Sequence, residues 1–283
     1  MTEDLAGAAT EACPLCGGRG WRVQADGGAG TATPCDCRSA LLRAQLHATS
    51  GIPASYRGCT FEGFKTDHYS PAAKSQLERA LAESRLYVNN FQNSDGSFAT
   101  SGLIFVGPTG SGKTHLASAL TRELVDRYRR RARFVEFTQL VYQIQSTFGA
   151  AASRSMSEVL DPVIEAELLV IDELGAQKPT PWVQNLLYLI INSRYTERRP
   201  TLYTTNFRLE PLAGAPRRRK DGSDRSVTEP EEDHSEFRDL DYLGHRLPAN
   251  LISRLFETTK PILLDAVTDY RREVKSAGLR PRR

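Results

Sequence analysis

The run Gly107-Pro108-Thr109-Gly110-Ser111-Gly112-Lys113-Thr114 fits the spacing G-x-x-x-x-G-K-[ST]. Glycines at 107, 110 and 112 let the backbone turn tightly and aim several N–H groups inward, where they suit phosphate oxygens. Lys113 adds a point charge for the β- and γ-phosphates, and the Thr114 hydroxyl is a small, hard ligand for Mg²⁺. The chemistry implied is binding of a nucleoside triphosphate with its magnesium ion. Such a loop belongs between a buried strand and a helix. Gly102-Leu103-Ile104-Phe105-Val106 reads as the strand, and Leu116, Ala119, Leu120 and Leu124 fall at helical spacing behind the loop. The positive end of that helix, with His115 in its first turn, then faces the phosphates.

Asp172 and Glu173 close the apolar run Leu168-Leu169-Val170-Ile171. A buried strand here holds Asp172 where it binds Mg²⁺ through water, and Glu173 suits a general base on the attacking water. The bland alternative is an exposed strand end, and the phosphate loop upstream argues against it. Asn206 ends a further strand, Pro200 to Asn206. Its short amide either orients the water and contacts the γ-phosphate or simply forms a turn. Arg254, in Leu251-Ile252-Ser253-Arg254-Leu255, is of a type that stabilises charge on a transferring phosphoryl group. By spacing alone it reads as a surface arginine on a helix.

Four of the five cysteines lie near the start, at Cys13, Cys16, Cys35 and Cys37. A C-x2-C pair and a C-x-C pair on two turns offer four thiolates, which suit tetrahedral Zn²⁺. Four thiolates leave no position for water, so the expected role is structural, in a segment with few apolar residues of its own. A redox pair and an incidental cluster are the rival readings. Cys59 stands alone and reads as a small buried hydrophobe.

These residues need elements to hold them. Apolar strand-like runs alternate with helical patterns, which predicts an α/β fold with a parallel sheet and helices on both faces. The phosphate loop, Asp172-Glu173 and Asn206 then all lie at carboxyl ends of strands, where ligands bind in such sheets. Strands are expected at 102–106, 134–138, 168–171 and 200–206. Helices are expected at 38–49, 71–92, from 115, from 140, at 182–194 and around 250–256, with a loop at 149–157. The domains expected are residues 1–49 (cysteine module and linker helix), 50–276 (ATPase domain) and 277–283 (basic tail). Within the second, 213–246 reads as a disordered insertion because apolar residues are nearly absent until Phe237. The net charge is only +3, yet basic residues cluster at Arg129-Arg130-Arg131-Ala132-Arg133 and Arg217-Arg218-Arg219-Lys220. No segment approaches a membrane span and the N-terminus lacks a charged-then-apolar leader, so a cytoplasmic protein is expected.

Together these residues resemble the AAA+ ATPases of the DnaC/IstB family, bacterial helicase loaders and transposition helpers, over about 50–270. Ser50-Gly51-Ile52-Pro53-Ala54-Ser55-Tyr56-Arg57-Gly58-Cys59-Thr60-Phe61-Glu62-Gly63-Phe64 looks like the family's leading segment. Asp172-Glu173-Leu174-Gly175-Ala176, with Trp182 and Leu187 to Tyr195, is similar to its central block. Thr204-Thr205-Asn206 resembles its sensor 1, and Ile252-Ser253-Arg254-Leu255 its arginine-finger segment. The resemblance implies an AAA+ P-loop core that binds and hydrolyses ATP between subunits of a homo-oligomer. It also implies a replicative DNA helicase as partner, contacted by the cysteine module, and single-stranded DNA on the inner face of the assembly. The alternative is an IstB-like helper acting with a transposase. The chain departs from the pattern in its 213–246 insertion and in lacking a sensor 2 arginine beyond the candidate Arg271.

Overall fold

A sheet of five parallel strands carries the molecule. The computed structural model describes residues 13–24, 31–67, 69–99, 101–148, 154–177, 180–209 and 242–270. The chain opens with an antiparallel hairpin, β1 (Trp21–Gln24) and β2 (Thr31–Pro34), followed by α1 (Asp36–Thr49) and α2 (Pro71–Asn89). The main body follows as β3 (Gly102–Val106), α3 (Lys113–Tyr128), β4 (Ala132–Glu136), α4 (Phe137–Gln145), α5 (Met156–Glu165), β5 (Leu168–Asp172), α6 (Pro181–Thr196), β6 (Thr201–Thr205), α7 (Ala249–Thr258) and β7 (Thr259–Leu263). The strands lie in the order β4-β5-β6-β3-β7, all parallel. One consequence governs the site: β6 lies between the strand that ends in the phosphate loop and the strand that ends in Asp172.

The sheet is covered on both faces. Successive side chains of a strand point to opposite faces, so Leu103 and Phe105 join one core with Leu77, Leu116, Leu120 and Leu124 of α2 and α3. Ile104 and Val106 join the other with Leu140, Val163, Leu187, Ile190 and Leu251 of α4 to α7. The three central strands are buried along their whole length. This explains why they read as continuous apolar runs and not as alternating ones.

Several boundaries differ from the sequence reading. The strand expected at 134–138 ends at Glu136, because the Glu136 carboxylate accepts a hydrogen bond from Thr138 N (2.8 Å) and so starts α4 at Phe137. Helix α5 was not expected. Ser155 caps it, and Pro162 lies inside it. Strand β7 and the β1–β2 hairpin were also missed; β7 holds Pro261, which a sheet edge tolerates. The 213–246 insertion falls almost wholly outside the described residues.

Arg194 ties the far end of the body together. It is fully buried in α6. Its Nε donates to Thr201 Oγ1 (2.8 Å), Nη1 to the carbonyls of Ile164 (2.9 Å) and Ala166 (2.7 Å), and Nη2 to Pro200 O (2.7 Å). The guanidinium thereby satisfies carbonyls at and just beyond the end of α5. Burial pulls its pKa down to about 9, which leaves it charged at neutral pH.

The basic cluster at 129–133 is put to internal use. Arg130 pairs with Glu167 (2.6 Å) and donates to Gly96 O (2.7 Å), Arg129 reaches Ser39 on α1, and Arg133 reaches Thr49 O. His47 on α1 meets Asp126 on α3 (2.8 Å). These contacts seat α1 against the body.

Candidate functional site

The phosphate loop runs from the end of β3 into the start of α3. Gly107 N bonds to Thr205 O (3.3 Å), which fixes the loop to β6. Gly110 (φ 79°) and Gly112 (φ 93°) have left-handed backbone that only glycine adopts freely. Space enforces the same choice. A Cβ on Gly112 would lie 2.6 Å from the Phe64 ring, and one on Gly110 would strike the Asp269 carboxylate. Lys113 is nearly buried, and its ammonium donates to the carbonyls of Gly107 (2.8 Å) and Pro108 (2.6 Å) and approaches Ser111 Oγ (3.4 Å). The first turn of α3 leaves N–H groups without intrahelical partners on the same side.

Asp172 completes the centre. Thr114 Oγ1 lies 3.0 Å from its Oδ1, and Thr204 Oγ1 lies 2.5 Å from the same oxygen. Burial raises the pKa of Asp172, against the opposing pull of the two hydroxyls and of Lys113. The Thr204 hydroxyl also accepts the Glu173 N–H (2.9 Å). Glu173 itself has left-handed backbone (φ 58°), a strain held in place by this bond and by Leu174 N to Thr204 O (2.8 Å). One threonine on the intervening strand thus orients both carboxylate residues.

A cavity of about 380 Å³ opens over the loop. Thr109, Gly110, Ser111, Gly112, Lys113, Thr114, His115, Glu173 and Asn206 all border it, so most of the loop, the Glu173 carboxylate and the Asn206 amide meet at one place, while Gly107, Pro108 and Asp172 do not line it. Its outer wall is aromatic: Tyr56, Phe64 and Tyr69 from the segment before α2, and Tyr270 from the far end of the body. Tyr270 N bonds to Gly110 O (3.3 Å). His115 places Nε2 2.9 Å from Thr60 O and packs on the Phe64 ring, so it also fastens this wall to α3. The arrangement offers phosphates a cradle of N–H groups and a cation, and offers a planar base an aromatic pocket. Thr114 and Asp172 form a hard oxygen pair that fits Mg²⁺. Sequence reasoning singled out Asn206 and overlooked Thr204, whose hydroxyl role depends on strand order and register.

Arg254 lies elsewhere. It does not border the cavity. It sits on α7 and stacks on Tyr195 near the end of α6, with its Cζ 4.2 Å from the ring centroid.

The four cysteines converge as expected. Their Sγ atoms all lie within 4.8 Å of one another, with Cys13–Cys35 at 3.8 Å and Cys16–Cys37 at 3.4 Å. Tetrahedral Zn–S bonds of about 2.3 Å require S···S separations of roughly 3.8 Å, so the donor set fits zinc. Gly20 N points at Cys16 Sγ (3.3 Å). Burial alone would raise the Cys16 thiol, but hydrogen bonds from Cys37 and Gly20 hold it down at about 6. The contact with Cys16 and burial push Cys37 up to about 12.

Comparison with known proteins gives the same reading of the cavity. The model of a family described as IstB-like ATP binding protein matches residues 87–213, the stretch that contains the loop, both carboxylates and Thr204. Residues 87–213 are thus similar to the IstB-like ATP-binding proteins. The replicative helicase loader DnaC of Escherichia coli (strain K12) is 29% identical over 163 residues, 58% of this chain and 61% of DnaC. The chain thus spans under two thirds of the length of the curated relatives it matches. The crystal structure of the DnaC helicase loader is similar at 25% identity and a TM-score of 0.53, covering 75% of this chain and 99% of that one. The crystal structure of DnaI is similar at 18% identity and a TM-score of 0.54, covering 80% and 99%. The IstB-like domain is therefore built on the AAA+ P-loop fold, as the sequence resemblance to the DnaC/IstB family implied. The relatives named as helicase loaders do not favour the transposition alternative. Among the described residues, no helix is long and apolar enough to cross a membrane.

Proposed function

We propose that this chain is a cytoplasmic ATPase that loads a replicative DNA helicase onto single-stranded DNA. The observation that carries the proposal is similarity to a DnaC helicase loader along nearly the whole of that structure, joined here to a complete nucleotide site. ATP takes its phosphates into the 107–114 loop and its base among Tyr56, Phe64, Tyr69 and Tyr270. Thr114 and Asp172 would hold Mg²⁺, which would supply positive charge beside the phosphates. Water attacks the γ-phosphorus while Glu173 accepts its proton. The bond from the γ-phosphorus to the bridging oxygen breaks, and ADP leaves with the electron pair. Asn206 orients the attacking water. Arg254, which does not border its own cavity, serves the site of an adjoining copy in a homo-oligomer.

Cys13, Cys16, Cys35 and Cys37 hold a structural Zn²⁺, and the 1–49 module so stabilised is the helicase-binding part. Residues 50–276 are the ATPase domain and 277–283 a basic tail. The test is purified chain mixed with the replicative helicase, single-stranded DNA and Mg-ATP. Hydrolysis, association with the helicase and helicase transfer onto the strand are expected together. Glu173→Gln should bind ATP and stall, and Lys113→Ala should lose ATP binding. Turnover with neither helicase association nor loading would sink the proposal.

A further inference from the structure

We propose that Tyr195 and Glu257 are positioning residues that hold Arg254 ready for the nucleotide of an adjoining copy. The inference rests on the reading of Arg254 as a residue that acts on a neighbouring site. The three side chains form a closed set across α6 and α7. The Arg254 guanidinium lies over the Tyr195 ring, with Cζ 4.2 Å from the centroid. Arg254 Nη1 meets Glu257 Oε2 at 3.2 Å. The Tyr195 hydroxyl donates to the other carboxylate oxygen, Glu257 Oε1, at 2.6 Å. Each of the three therefore fixes the other two.

The base of this set is rigid. Tyr195 follows Arg194, which is clamped by buried carbonyls. On α7, Leu251, Ile252 and Leu255 are buried, and Thr258 Oγ1 donates to Arg254 O (2.7 Å). One face of the guanidinium is stacked and one nitrogen is tethered. Among the described residues, Nε and Nη2 make no hydrogen bond, and the side chain is one-third exposed. The group is thus oriented while part of its fork stays open to an anion. A flexible arginine would have to be ordered at the moment of assembly, and prior restraint removes that cost from the reaction. An ordinary surface ion pair of this exposure contributes little to folding, so breaking the set leaves the chain folded and the effect is read in the reaction.

The experiment measures steady-state phosphate release over a range of ATP concentrations, with the oligomer assembled. Arg254→Ala should lower kcat about a thousandfold. Tyr195→Ala and Glu257→Ala should each lower kcat about fivefold to tenfold with KM within about twofold, since their own nucleotide cavity is untouched. Tyr195→Phe, which keeps the ring, and Glu257→Gln, which keeps an acceptor, should recover most of the loss. In an Arg254→Ala background, Glu257→Ala should cost nothing further. The effect should also act in trans. Chains with Glu173→Gln, which still present Arg254, should restore turnover to Arg254→Ala chains, and Glu173→Gln/Glu257→Ala chains should restore it about fivefold to tenfold less. Full kcat in both alanine variants beside a crippled Arg254→Ala would overturn the positioning role alone. An additive loss in the Arg254→Ala background would do the same. Normal kcat in Arg254→Ala would overturn the reading of Arg254 itself and this inference with it.

Discussion

Asp172→Asn should make the nucleotide-free protein more stable while destroying its use of magnesium. Both short bonds to the carboxylate converge on one atom, with Thr204 Oγ1 at 2.5 Å and Thr114 Oγ1 at 3.0 Å from Oδ1. The other oxygen, Oδ2, has only the longer Thr114 contact at 3.3 Å. An amide oxygen can therefore take over both bonds, with its NH₂ replacing Oδ2. What the substitution removes is a charge that is almost fully buried. Burial raises the pKa of Asp172, so the fold disfavours its ionised form. Relief of that penalty is worth about 1–2 kcal/mol, or about 3–6 °C in Tm for a body of this size. The sign with pH follows. The penalty is present above the raised folded-state pKa. It fades as pH falls into the window between that value and the ordinary aspartate value, so the variant's advantage should shrink on acidification. Saturating Mg-ATP should reverse the order, because a ligand at a hundred times its Kd adds about 2.7 kcal/mol to the native protein and less to the variant. Thermal unfolding with and without Mg-ATP, scanned over pH, measures all three. A nucleotide-free variant that melts at or below the native protein at neutral pH would refute the reasoning.

Thr204→Val keeps shape but removes the hydroxyl that links Asp172 to the Glu173 N–H. Turnover should fall about tenfold to a hundredfold with ATP affinity nearly unchanged, as separate binding and phosphate-release measurements would show. Arg194→Ala strands the carbonyls of Ile164, Ala166 and Pro200, and should cost about 3–5 kcal/mol in denaturant unfolding. Arg194→Lys, with fewer donors and no planar fork, should recover only part of that. Metal analysis should find one zinc per chain, and Cys16→Ser should lower it and expose the 13–35 segment to protease; well under one zinc in the native chain would end the zinc assignment.

The parts of the site that the sequence revealed are those that local chemistry dictates. A glycine-rich loop behind Leu103-Ile104-Phe105-Val106 has few other uses, and Leu168 to Ile171 must be buried wherever it lies. Thr204 carried no such mark. Its role arises because β6 lies between β3 and β5, and strand order is a property of the whole chain. Helix α4 began earlier than its apolar pattern implied because one carboxylate, Glu136, captured the Thr138 amide. Strand β7 escaped notice because Pro261 interrupts the usual strand composition, and a proline is tolerable there only if the strand is at the edge. The β1–β2 hairpin has too few apolar residues to signal itself.

The aromatic wall of the cavity has a consequence for the timing of biosynthesis. Tyr56, Phe64 and Tyr69 leave the ribosome early, the loop and carboxylates follow, and Tyr270 with its bond to Gly110 comes last. Chains are made at about 5–20 residues per second, and the exit order is fixed. A nascent chain that has displayed every phosphate-binding residue still lacks one wall of the pocket until residue 270 is free. Tight capture of nucleotide should therefore begin only when synthesis of the body is essentially over, so that incomplete chains do not sequester nucleotide.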